Sequence, residues 1–254
     1  MFDLFKRNKV PISEELRNYI EGNLLWLFQE FESPQENQIR IITPRKSDFP
    51  FEWENDEKTA QNACGFVSDI MQIDTSSVQL EFYKNPVNRV GQGDQTIFLE
   101  SDESDPQASG LYFGKNEAGK FVIAIDKSNL NNPELILSTL SHELAHIKLL
   151  GENRIEENDE MLTDLTSLYF GFGIFGANTS FSFYNTNESW GYRKNGYLTD
   201  IEWAYALAFY GFLVYETNPA WTKFLSPSMQ KNFVRCERYI AKNKEHIMNR
   251  YNMS

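Results

Sequence analysis

The stretch NPELILSTLSHELAHIKLLG, Asn132 to Gly151, decides how the rest of the chain is read. Asn132 can cap a helix, Pro133 suits its first turn, and Gly151 is a natural stop. At 100° per residue, Ile136, Leu137, Leu140, Leu144 and Ile147 fall within about 60° either side of one line, which makes a core-facing stripe. His142 and His146 lie together on nearly the opposite side, with Glu143 at the edge between. Two imidazoles one turn apart can converge on a single metal ion, and Glu143 then overlooks the open coordination position. Two of the chain's 3 histidines are spent on this motif. The competing reading, a pair of surface histidines on an acidic helix, leaves that concentration unexplained.

A hydrolytic zinc site needs a third protein ligand and a free position for water. The next stretch, GENRIEENDEMLTDLTSLYF, has a core face at Met161, Leu162, Leu165, Leu168 and Tyr169. Glu160 and Asp164 stand one turn apart beside that face, on a polar strip with Thr163 and Ser167. A short helix–turn–helix sets this strip opposite the histidines, so Glu160 can complete a His-His-Glu site for one zinc ion per chain. Asp164 is placed to accept the free ring N–H of a ligating histidine. Asp159 and Asp164 remain alternatives to Glu160 as the third ligand.

HELAH followed by DEMLTD resembles the thermolysin-like (gluzincin) zinc metallopeptidases, whose second motif is N-E-x-x-S-D. Glu160 matches the glutamate ligand of that motif, and Asp164 matches the aspartate that orients the first histidine. Asp159 and Thr163 replace Asn and Ser. The resemblance spans only His142 to Asp164, with a shorter gap between His146 and Glu160 than in thermolysin, as in the smallest members of the class. The longer stretch through GFGIF also resembles a small, uncharacterised bacterial branch, which supplies no substrate.

The resemblance implies a minimal zincin-like fold and hydrolysis of a peptide bond in a peptide or protein substrate. Glu143 is then the general base, and the strand Phe121–Asp126 is the edge that pairs with extended substrate. Family members place a further donor on the oxyanion, but the remaining histidine, His246, lies near the C-terminus. Tyr192, Arg193 and Tyr197 of SWGYRKNGYL and Tyr205 beyond it are the candidates, against a plainer reading as loop and core aromatics.

Outward from the motif, helices are expected over Ser13–Phe31, Glu57–Met71, Asp200–Glu216 and Ser228–Lys242. Another runs from Glu157 to Phe170, stopped by the glycines of GFGIFG. Gln38–Thr43 and Val78–Tyr83 alternate like strands, and Leu111–Gly114 with Phe121–Asp126 reads as a hairpin. Asn85–Gly110 and Ala177–Asn195 have loop composition, with a short apolar run at Thr96–Leu99. The expected class is α+β: a small mixed sheet, then a helical half. The reading is one domain over 1–254, with 1–50 as a helical extension packed on it.

Composition narrows the function classes. A net charge of -12 over 254 residues repels nucleic acid and anionic membrane surfaces. There is no run of apolar residues long enough to span a bilayer and no signal-peptide pattern, so the expected address is cytoplasmic. Cys64 and Cys236 lie far apart among apolar neighbours and read as buried reduced thiols. The leading function is a zinc-dependent peptidase. The rivals are a zinc amidase of narrow specificity, a regulator that cleaves a single partner, and a zinc-binding regulatory or interaction protein without general peptidase activity.

Overall fold

The computed structural model describes residues 12–31, 40–84, 110–185, 190–194, 197–214 and 216–252. It is mixed α and β and mostly helical. The chain divides into two compact units, Phe49–Glu156 and a second made of Met1–Asp48 with Glu157–Ser254. Residues 1–48 group with the C-terminal helices. No helix among the described residues is long and apolar enough to cross a membrane.

The Phe49–Glu156 unit holds a three-stranded sheet and two long helices. Helix α1 belongs to the other unit and spans Glu14–Glu30. Helix α2, Glu57–Ile70, starts where the Asp56 carboxylate accepts the Thr59 amide, and it buries Ala60, Ala63, Cys64 and Val67 along one stripe. Strands β1 (Val78–Tyr83), β2 (Gly110–Lys115) and β3 (Phe121–Asp126) lie in the order β1-β3-β2. β1 runs parallel to β3, and β2 runs antiparallel to it. Phe121 to Ile125 are all buried, so β3 is covered on both faces, as its unbroken apolar run requires. β3 is the central strand. The expectation that it forms a substrate-binding edge is overturned by this pairing on both sides.

The β2–β3 turn is closed by Asn116, whose side-chain oxygen accepts the amides of Ala118 and Lys120. Helix α3, Pro133–His146, follows with Asn132 capping the Leu135 amide at 3.2 Å. It ends in a wider π-type turn over Ile147–Gly151. A Cβ on Gly151 would stand 2.8 Å from the Phe121 ring, so this stop doubles as a close approach to β3.

The other unit is built around α1 and a helical run that begins with α4, Glu160–Ser167. A π-type turn at Leu168–Phe172 joins α4 to α5, Gly173–Thr179. Gly171 of GFGIFG kinks this run, and none of the three glycines ends it. Gly171 has φ +95°, and the Ile42 amide donates to its carbonyl at 2.8 Å. Residues 40–43, expected to finish a strand, pack Ile41, Ile42 and Thr43 in succession against this kink without forming one. Residues 38–39 and 85–109, Thr96–Leu99 included, lie outside the described residues.

A two-stranded ribbon, β4 (Phe181–Asn185) with β5 (Trp190–Lys194), occupies part of the segment read as a loop. Helix α6, Asp200–Leu213, is buried along nearly its whole circumference, as a helix apolar on all sides must be. Its Trp203 ring passes so close to α5 that a Cβ on Gly176 would meet it at 2.5 Å. Helix α7 covers Pro227–Lys242, and a short α8, Lys244–Arg250, was not anticipated.

Candidate metal centre

The anticipated core stripe of α3 is real: Ile136, Leu137, Leu140, Leu144 and Ile147 are at most 2 % exposed. That burial fixes the rotation of the helix and sets both histidines on its other side. The His142 and His146 rings stand with centroids 5.0 Å apart and planes at 88°. Neither Glu143 nor His146 faces open solvent, each being 6 % exposed. The periodicity places the histidines on a non-core face, and His146 is nonetheless covered there. Part of their cover comes from β2, where Tyr112 stacks on His146 with centroids 5.5 Å apart and planes at 18°.

Tyr83, at the end of β1 and level with Asp126 on β3, carries a second hydroxyl of interest. Burial and the charges of Asp126 and Glu143 push its ionisation well above the ordinary tyrosine range. Tyr112 is also raised, by burial. Both tyrosines therefore keep their protons at neutral pH and can act as donors. Neither was named from sequence, because their positions depend on strand register, which no motif encodes. The alternation in VQLEFY was the only available signal for Tyr83.

On α3 and α4, one ligand atom from each of His142, His146 and Glu160 lies within 4.8 Å of the other two. Two imidazoles and one carboxylate form the donor set of three-ligand zinc sites, which leave a fourth position open. The residues present thus suit a zinc ion. Glu160 opens α4 and accepts from the Asn158 side chain at 2.7 Å.

The two alternative ligands have other tasks. Asp159 is the cap of α4: one oxygen accepts the Leu162 amide at 3.0 Å and the other takes the Tyr19 hydroxyl at 2.5 Å. Burial and that carboxylate raise the Tyr19 pKa. Asp164 is 3 % exposed, and one of its oxygens accepts the backbone amides of Tyr197 and Leu198 at 2.9 and 3.1 Å. It anchors the lead-in to α6.

The four oxyanion candidates fare differently. Tyr192 and Arg193 sit in β5, where only the backbone is described. Tyr197 is 49 % exposed beside the Asp164 anchor. Tyr205 is fully buried in α6, and its hydroxyl donates to the buried Glu21 carboxylate of α1. Burial and Glu21 raise its pKa far above the usual range. It serves helix packing, and the plainer reading of Tyr205 as a core aromatic is the better account.

Near the end of α3, Lys148 pairs with Glu152 at 2.8 Å, and burial with the nearby Arg154 charge brings its pKa down to about 8. Both cysteines are buried and free, with burial pushing each thiol up to about 12. No family model, curated protein or solved structure matches this chain.

Proposed function

We propose that the protein is a zinc-dependent hydrolase acting on peptide bonds, with His142, His146 and Glu160 as metal ligands. The observation that carries this reading is the clustering of those three donor groups beside a buried Glu143 on the same helix. Held by these three residues, a zinc ion would supply Lewis acidity and make hydroxide accessible from water near neutral pH. Glu143 accepts the proton released during attack and returns it to the leaving amine. A purely structural site has no use for a carboxylate there and ordinarily has four protein ligands.

β2 replaces β3 as the strand for substrate addition. It has one unpaired edge among the described residues, and its Tyr112 lies on a ligand ring. Tyr83, whose ionisation is raised in part by the Glu143 charge, and Tyr112, stacked on His146, take the place of Tyr205 among the candidate donors.

The test is zinc content by elemental analysis, together with cleavage of a peptide library read by mass spectrometry. The wild type should hold about one zinc and cleave; Glu143→Gln should hold zinc and not cleave; His146→Ala should lose the metal. Turnover by Glu143→Gln removes that residue as base. A wild type that holds zinc yet cleaves nothing selects the regulatory reading, and a wild type without zinc after supplementation ends both.

A further inference from the structure

In the unit formed by Met1–Asp48 and Glu157–Ser254, a cleft of about 320 Å³ opens between the segment after Arg40 and the α6–α7 connection. That volume is at the lower end of those that hold small organic ligands. Its lining is chemically uneven. Arg40, Arg45 and Lys223 bring three cations, and Tyr210, Trp221 and Phe224 bring three aromatic rings. The chain as a whole carries -12, so a local excess of positive charge stands out against the field.

The arginines are held by a built-in brace. The Asp48 side chain is 3 % exposed, and one oxygen is satisfied by the Thr43 amide and hydroxyl at 3.0 and 2.5 Å. Its other oxygen is reached by both Arg40 and Arg45, at 3.3 and 3.5 Å. These are long ion pairs to one shared acceptor, and each guanidinium keeps further N–H donors. Arg45 is steadied again by the Thr43 hydroxyl at 2.9 Å and by the Phe224 ring, 5.6 Å from its guanidinium carbon. Lys223 has no carboxylate within ion-pair distance among the described residues, and its ammonium lies 5.2 Å from the same ring. The carboxylate that lines the cleft, Glu216, accepts from the Trp221 indole at 2.8 Å. Three cations are therefore set against two carboxylates, and one of those two is buried as the brace.

We propose that this cleft binds a small phosphate monoester carrying an aromatic ring, with the phosphate between Arg40, Arg45 and Lys223 and the ring against Trp221 and Phe224. Paired guanidinium forks match the oxygens of a phosphate better than a single carboxylate, and an ammonium adds a point charge without geometric demand. The aromatic wall rewards a flat apolar body, which free phosphate lacks.

Isothermal titration calorimetry tests this with phenyl phosphate, benzoate and inorganic phosphate, each in the presence of a chelator so that a bound metal is not the receptor. Phenyl phosphate should bind at least tenfold tighter than either of the others. Lys223→Gln should weaken it about fivefold and Arg45→Gln about tenfold or more, with the circular dichroism spectrum unchanged. Glu216→Gln, which keeps an acceptor for the indole and removes a negative charge, should tighten it. If Arg45→Gln fails to fold, the exposed Lys223 and the Glu216 pair carry the test by moving in opposite directions. Equal affinity for phenyl phosphate and inorganic phosphate overturns the aromatic half of the site. No binding, or binding indifferent to Lys223 and Glu216, overturns the whole.

Discussion

Tyr112 lies flat on His146, with the two ring planes only 18° apart, so a strand residue holds the orientation of a candidate metal ligand. The contact exists because β2 pairs with β3 in a register that sets Tyr112 against Ile123. Groups that orient ligands without touching the metal commonly change its affinity 10–100-fold. Tyr112→Ala should therefore weaken zinc about tenfold, at the low end of that range, while Tyr112→Phe keeps the stack and the affinity. Competition with a chromophoric chelator reads both, and an unchanged affinity in the alanine variant would show the stack to be incidental.

Adjacent acids at the start of α4 should separate cleanly. Glu160 is a ligand candidate, and Asp159 is a cap that also fastens Tyr19. Loss of a cap and a buried-side hydrogen bond costs about 2 kcal/mol together. Asp159→Ala should melt at a lower temperature yet retain zinc. Glu160→Ala should keep its metal-free stability and lose the zinc. The opposite pairing of effects would make Asp159 the ligand.

Much of this candidate site is legible in the sequence, because both of its histidines lie on one helix whose periodicity is strong. The stripe Ile136, Leu137, Leu140, Leu144 fixes the rotation of α3, and rotation fixes the histidines. Glu160 follows from the same reasoning applied to α4. What escapes is set by partners distant in sequence. Tyr112 reaches His146 through strand register, and β3 is central because β1 returns parallel to it. QIRIIT resembles a strand, yet Ile41, Ile42 and Thr43 are all buried in succession, and the Ile42 amide is satisfied by a helix kink. The ribbon β4–β5 was hidden by its loop-like Tyr, Asn and Ser content, although FSF and WGY carry the aromatic residues that strands favour.

The glycines of GFGIFG have the composition of a helix stop, yet their tasks differ. Gly171 holds φ +95°, and a Cβ there would lie 2.3 Å from the Arg40 carbonyl oxygen. Gly171→Ala combines a left-handed backbone with a backbone clash and should cost at least about 2 kcal/mol. Urea unfolding measures it. A loss below half that figure would mean that the Arg40–Thr43 segment yields readily.

Asp48 supplies a pH test. Burial alone would raise its pKa, but the Thr43 hydroxyl and amide, together with Arg40, outweigh burial and hold it below the usual carboxylate value. A carboxyl whose folded pKa is depressed contributes stability that is present above its unfolded pKa, about 3.9, and is lost as pH falls through the folded value. The wild type should lose that increment below about pH 4, on the acid side of its stability profile. Asp48→Asn keeps the shape of the brace without the charge, so it should be less stable at pH 7 and should converge on the wild type in acid. Parallel urea titrations at several pH values give the comparison. A constant gap between the two proteins down to pH 2.5 would mean that Asp48 acts through packing and hydrogen bonding alone, and that its charge does not hold Arg40 and Arg45 in place.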